Sequence, residues 1–416
     1  MLDLVQGIIA VDDHGHPLPL GLEPEPDLAH PICPYDHPLP LRQRQTNPEY
    51  VAAWQALWQY QHDDAAPDHL RELIARKQDV KSKLGDGYNA WVLDQVGVET
   101  MIAVAYAPDE TLPPPRFRWC SFADWLMWPV TGSEPPAPHL VANYERELAR
   151  VLSRAGLDTV PATLEDYIAA VVVAELEQRK REGAVAIKFH SAYYRPIDFS
   201  TVSPEAAADI YRRAVASGDI TAEARRTLQD HLFHRIAAAA GQLELPMQVH
   251  TGLGAKPHFD TAGSNPLLLE QSFTAAPRTK FLLLHAGWPF ESQAIAALAH
   301  ENVYLDISCA TIHLYARALA QIIRAGLEWF PEKVVFGTDA YSDRSLAVLS
   351  GAPARPNYLS GWEEKAWLMN RTAREALALA LTEMREDNVI GAAEVEEYAD
   401  RVMRTNAIAL YGLGEH

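Results

Sequence analysis

The sequence has little cysteine. Its three residues, Cys33, Cys120 and Cys309, stand far apart among 416, and no CxxC or CxxxC pair occurs. That argues against a zinc site built from thiolates and fits a reducing compartment. Long apolar runs are missing as well: none approaches the roughly 20 residues needed to span a bilayer. The opening stretch MLDLVQGIIAVDDHGHPLP has no basic segment, and Asp3, Gln6 and Asp12 interrupt its apolar residues. It reads as neither a signal peptide nor a membrane anchor, and the expected location is cytoplasmic. Positive charge is in deficit, with 36 Lys and Arg against 55 Asp and Glu and a formal net charge of −19. No basic run offsets that locally, so nucleic acid is not an expected partner. Neither internal repeats nor low-complexity tracts occur.

What the chain does have is apolar residues, 48% of the total, in a pattern of alternating elements. Eight strand candidates recur: Gly7–Val11, Glu99–Ala105, Phe117–Cys120, Ala184–Phe189, Pro246–Val249, Lys280–Leu284, Val303–Ile307 and Lys333–Phe336. The later ones are apolar almost to their C-terminal ends, as strands buried on both faces are. Helical patterns lie between them, at Pro48–Gln61, Asp68–Leu84, Leu164–Glu182 behind Thr163, Pro204–Ala240 with a break near Ser217–Asp219, Glu291–His300, Leu314–Ala325, Trp362–Ala380 and Ala393–Tyr411. This alternation predicts an α/β fold with a parallel sheet. A closed (β/α)8 TIM barrel accommodates such a length as one unit, so residues 1–416 are read as a single domain. Two stretches exceed a minimal barrel: residues 17–84, which include a Pro-rich arm from Pro17 to Pro40, and residues 109–161, with PPPR, EPPAP and the Trp-rich FADWLMWP. Both are expected to decorate the barrel mouth.

His14 and His16 follow the first strand candidate; His250 ends LPMQVH, His285 ends KFLLLH and Asp339 ends KVVFGTD. In a (β/α)8 barrel the C-terminal strand ends converge on one mouth. Neutral imidazoles and a carboxylate gathered there suit Zn²⁺ or a similar divalent ion. The HxH spacing on an extended segment sends both rings to one side.

The order HxH, strand-end Lys, His, His, Asp resembles the amidohydrolase superfamily, and within it the amidohydrolase-related family. LPMQVHTGLG, NPLLLEQSF, KFLLLHAGWPF, VYLDIS, VVFGTDAYS and the closing NAIALYGL carry the resemblance. They are similar to the amidohydrolase-like half of glutamine-synthetase-like fusion proteins of fungi and plants. The resemblance implies His14, His16 and His250 as metal ligands, with His285 as a second-metal ligand or a substrate polariser. It implies Asp339 as ligand and general base, and Lys188, which ends AVAIK, as a carboxylated bridge between two metals. Lys188 could equally pair with a substrate carboxylate or an acidic side chain. One or two ions are expected, zinc first and manganese as the alternative. The expected substrate is a small molecule, possibly bearing a carboxylate, and a homo-oligomer is possible.

Around these residues, His190, Tyr194, Arg195 and Trp288 are candidate substrate contacts. Arg195, next to Tyr193 and Tyr194, could grip a carboxylate or pair with Asp198. Arg116 and Arg118 offer the same grip, and Lys256 and His258 follow the turn TGLG. Asp306 could orient a ligand histidine or bind strand-end backbone. The reaction implied is hydrolysis of an amide or cyclic amide-like C–N bond by a water that the metal activates. Decarboxylation or sugar-acid isomerisation at the same site is the alternative, and a non-catalytic metal-binding scaffold the second.

Overall fold

The computed structural model describes residues 1–17, 40–43, 47–254, 259–342 and 361–414. Nine strands form one parallel sheet: β1 Ala10–His16, β2 Val98–Ala105, β3 Phe117–Phe122, β4 Ala184–Phe189, β5 Met247–Val249, β6 Phe281–Leu283, β7 Val303–Asp306, β8 Val334–Val335 and β9 Ala340–Tyr341. Their spatial order is β8-β7-β6-β5-β4-β3-β2-β1-β9. The two edges are halves of one segment, separated only by residues 336–339. Since β8 pairs with β7 and β9 with β1, the sheet closes on itself. The expected (β/α)8 barrel is present, with its eighth strand broken.

A side chain from β1 accounts for the break. The Asp12 carboxylate accepts hydrogen bonds from Thr338 N at 2.8 Å and Thr338 Oγ1 at 2.6 Å, so Thr338 is turned out of the ladder. On either side the main chain stays joined, Asp13 N donating to Phe336 O at 3.1 Å and Asp339 N to His14 O at 2.6 Å. Between them Gly337 passes over buried carboxyls. A Cβ at that position would overlap Asp13 Oδ1 and come within 2.8 Å of Asp306 Oδ1. Gly337→Ala is therefore expected to destabilise the protein by about 1–3 kcal/mol, the usual cost of overpacking, read as a lowered urea midpoint. An unchanged midpoint would mean that these carboxyls have room to move.

Alternation along the strands sorts the two faces. Ile187, Phe189, Met247, Val249, Phe281, Leu283, Val303 and Leu305 pack in one cluster with helix residues such as Leu228 and Leu232. Ala186, Leu282, Leu284, Ile102, Val104 and Val335 pack instead with Leu410, Tyr411 and Leu413 of the C-terminal segment, which plugs the barrel. Lys188 and Gln248 fall in step with this inner set, and His190 and His250 follow each of them by two residues.

The long helical region divides as expected. Pro204–Ser217 ends at Gly218, whose φ of 69° closes the helix, and Thr221 caps Ala222–Gln242. Leu164–Arg181 is one helical run with a π-turn at Ile168–Val173. One expectation is corrected. Leu2–Gly7 is a short helix, so β1 starts at Ala10 and includes the HxH pair instead of preceding it. Asp12 and Asp13 look like a strand end in sequence but are buried strand residues with partners of their own. Pro138–Arg154, within the Pro-rich 109–161 region, is a helix with proline in its first turn, where the missing N–H costs nothing. The arm expected over Pro17–Pro40 falls mostly on residues 18–39, outside the described ones. Among the described residues no helix is long and apolar enough to cross a membrane.

Candidate metal centre

Four imidazoles, a carboxylate and an amine gather where the strands end. Asp339 Oδ1 lies 3.3 Å from His14 Nε2 and 3.3 Å from His16 Nε2. Asp339 Oδ2 is 4.0 Å from His285 Nδ1, and His285 Nε2 is 3.0 Å from His250 Nδ1. Lys188 Nζ stands 3.5 Å from His14 Nε2. Except for His16, all are buried.

The hydrogen bonds behind the rings fix their tautomers. Gln248 Nε2 donates to Asp13 O at 2.8 Å and to Tyr411 OH at 2.9 Å. The oxygen Oε1 is therefore the atom 2.8 Å from His14 Nδ1, which must carry the proton. His14 Nε2 is left with a lone pair, and burial, reinforced by Lys188, lowers the His14 pKa to about 3. On the other side, Ser308 Oγ donates to the Asp306 carboxylate. It can then only accept from His285 Nδ1, 3.0 Å away. His285 Nε2 in turn accepts from His250 Nδ1. His250 Nε2 is left buried with a lone pair and no hydrogen-bond partner among the described residues. Burial lowers the pKa of His250 and His285 well below the usual imidazole value.

This arrangement sets lone pairs against a carboxylate. Neutral imidazoles and an anionic carboxylate at these separations need a positive charge among them. Lys188 is one source, although burial depresses its pKa to about 8. A divalent cation is the other, and the donor set suits it: imidazole nitrogens with free lone pairs, a carboxylate, and second partners already engaged. Among the described residues, two triads of potential ligand atoms lie mutually within 4.8 Å, His14–His16–Asp339 and His285–Cys309–Asp339.

The amidohydrolase family model matches residues 123–413. The chain belongs to the amidohydrolase family. Members of that family are metal-dependent enzymes acting on small molecules, which the donor set at the barrel mouth fits. The matched stretch includes Lys188, His250, His285 and Asp339 but begins after His14 and His16. Protein fluG of Emericella nidulans is 27% identical over 181 residues, which are 43% of this chain and 19% of that protein. The match thus spans about a fifth of that relative's length. Among solved structures, a protein of Lactobacillus casei described as a metal-dependent hydrolase superposes with TM-score 0.66 at 17% identity, covering 99% of this chain and 96% of its own. The glucuronate isomerase of Caulobacter crescentus gives 0.66 at 12% identity, covering 100% and 93%. The uronate isomerase of Thermotoga maritima gives 0.65 at 14%, covering 99% and 96%. At these identities the likeness is one of fold.

In this amidohydrolase the other expected site residues separate into two groups. His190 faces Tyr144, whose OH is 2.6 Å from His190 Nε2, and Asp124, whose Oδ2 is 3.4 Å from Nδ1. Tyr194 OH donates to Asp124 Oδ1 at 3.0 Å. Burial lowers the His190 pKa. Trp288 stacks on His313, ring centroids 5.6 Å apart. Arg195 is not brought to the cluster: it is paired with Asp230 and lies over the Phe199 ring. Asp198, its expected partner, pairs with Arg226 instead. Arg116 is bound to Asp94 and to carbonyls at the start of β2, and Arg118 lines a small cavity with Glu99 and Leu413. Both lie at the end of the barrel away from the mouth. Lys256 and His258 are outside the described residues. Asp306 does both things expected of it, accepting from His285 N at 3.1 Å and holding Ser308 against the ring.

Sequence reasoning did not single out Gln248, Tyr144, Asp124 or Cys309, which lie against the candidate residues. Gln248 had a usable signal, two residues before His250 on the same strand face. Cys309 had one in its position just beyond the seventh strand. Tyr144 had none, because its helix arrives from the Pro-rich region.

Proposed function

We propose that the protein hydrolyses a C–N bond, in an amide or cyclic amide-like substrate, with zinc as the resident ion and manganese as the alternative. The observation that carries this reading is the Asp339 carboxylate oxygen 3.3 Å from both His14 Nε2 and His16 Nε2, with the His14 lone pair turned towards it. His14, His16, His250 and Asp339 would hold a divalent ion, which would supply water of lowered pKa and polarisation of a carbonyl. Asp339 accepts the proton of the attacking water and returns it to the leaving nitrogen as the C–N bond breaks. His285, fixed by Ser308 and Asp306 and 4.0 Å from Asp339, and Lys188, 3.5 Å from His14, stabilise negative charge developing on the carbonyl oxygen. Alternatively, the Lys188 amine, pulled down to about 8 by burial, would take up CO2 with loss of a proton, and the resulting anionic carbamate would serve as a ligand in place of a positive charge. His190, Tyr194 and Trp288 border the substrate.

A second reading is isomerisation of a sugar acid, favoured by the His190–Asp124–Tyr144 set. It supplies proton-carrying groups separate from Asp339, as proton transfer between adjacent carbons requires. Product analysis decides between them. Protein purified without chelator and checked by elemental analysis is incubated with N-acyl and γ-glutamyl compounds, cyclic amides and hexuronic acids. Release of an amine with an acid is expected. An isomer without amine release would replace the first reading with the second.

A further inference from the structure

The second triad contains a sulfur. A ring nitrogen of His285, Cys309 Sγ and an Asp339 carboxylate oxygen lie mutually within 4.8 Å, and all three residues are buried. Asp339 belongs to both triads: its Oδ1 is the atom beside His14 and His16, and its Oδ2 the one nearer His285. Next to this triad, His250 contributes a buried Nε2 with no hydrogen-bond partner among the described residues. Cys309 packs against Ile312, Tyr341, Leu368 and Met369, and it also sets a polarisable sulfur beside the buried Asp339 carboxylate.

The backbone marks the same three residues. His285, Cys309 and Asp339 have φ of 67°, 50° and 56°, in the left-handed region that residues with a Cβ rarely enter. They follow three different strands, β6, β7 and β8. Strain of this kind persists where surrounding structure enforces it, often at ligand clamps.

We propose that Cys309, with His285 and Asp339, forms a second cation position beside the His14–His16 position, and that its sulfur favours a borderline-soft ion such as zinc or cobalt over magnesium or manganese. This rests on reading His14–His16–Asp339 as a metal centre. On binding, the Cys309 S–H bond is exchanged for a sulfur–metal bond and the proton passes to the buffer. One His285 nitrogen gives up its present hydrogen bond to coordinate. Softness of the sulfur is what sets this position apart from one made of imidazole and carboxylate alone.

Cobalt tests it on the full chain. Metal-free protein is titrated with Co²⁺, near-ultraviolet absorption is recorded, and bound cobalt is counted by elemental analysis. Wild type, Cys309→Ala, Cys309→Ser and His14→Ala are compared, with circular dichroism confirming that each is folded. Wild type is expected to hold one cobalt more per chain than either cysteine variant. It should show a sulfur-to-cobalt charge-transfer band that both variants lose and His14→Ala keeps. If cobalt binds and His14→Ala lowers its content, but no sulfur band appears in wild type, the Cys309 position is overturned and the metal centre stands. An unchanged band and cobalt count in both cysteine variants overturns it equally. If no cobalt binds at all, both readings fall. Cys309→Ser preserves the size of the side chain, so a misfolded alanine variant does not remove the test.

Discussion

Asp339→Asn is expected to fold and to keep much of its metal while turnover falls roughly 10²–10⁴-fold, the usual loss on removing a positioned general acid or base. The asparagine has the same shape and keeps one acceptor oxygen. It also tolerates the left-handed backbone at this position, φ 56°, better than most residues. Asp339 N donates to His14 O at 2.6 Å, and the substitution leaves this barrel-closing bond in place. Without metal, the variant is expected to be no less stable than wild type, because its amide N–H can donate to the His14 lone pair that now confronts a carboxylate. Two measurements check this: kcat of metal-replete protein and urea unfolding of metal-free protein. Full turnover in the metal-replete variant would remove Asp339 from proton transfer and leave it a ligand alone.

Loss of the ion itself is expected to abolish turnover. Chelator-treated wild type should be inactive and recover with Zn²⁺, Mn²⁺ or Co²⁺. His14→Ala should lose the ion of the His14–His16 position and activity together, and none of these ions should restore turnover. His14 is the residue to test because its tautomer is held by Gln248, which directs Nε2 to Asp339. Removing the ring also strands Gln248 Oε1 in the barrel interior, at a cost of about 1–3 kcal/mol for an unpaired buried acceptor. Unfolding measurements on the metal-free variant separate that cost from the loss of metal. Turnover that survives chelation, or a His14→Ala protein with its full metal content, would sink the assignment.

Much of the barrel can be read from residues in line. Ala184–Phe189 is apolar but for Lys188 and is β4 to the residue. The break between Pro204–Ser217 and Ala222–Gln242 follows from Gly218 and from Thr221, whose side chain accepts from Ala224 N. Such signals are local: a glycine that adopts positive φ, a hydroxyl that caps a helix, an apolar run as long as a strand. His250, His285 and Asp339 stand out for the same reason, since each is a polar residue closing an apolar run.

β1 shows where this kind of reading stops. Asp12 and Asp13 interrupt an apolar run and so look like the end of a strand. Burial raises the Asp12 pKa to about 7, and burial together with Asp306 and Asp12 raises that of Asp13 well above the usual range. Both are tolerated because Thr338 and Tyr411 supply partners. Those partners lie hundreds of positions away, and no window along the chain contains them. Arg195 is a similar case: Asp198 is the obvious acid nearby in sequence, yet a helix carries Asp230 to the guanidinium and Arg226 to Asp198.

The sequence by itself determined the parallel α/β barrel, the residues at the ends of its strands, and a donor set of imidazole and carboxylate suited to a divalent ion. These follow from short-range periodicity and from the rule that a barrel's strand ends share one mouth. Only the tertiary structure decided where the eighth strand breaks, which nitrogens of His14 and His250 are free, and that Cys309 joins His285 and Asp339. Each of those depends on closing the sheet, which brings β1 against the segment after β8 and leaves buried polar atoms to find partners across the barrel.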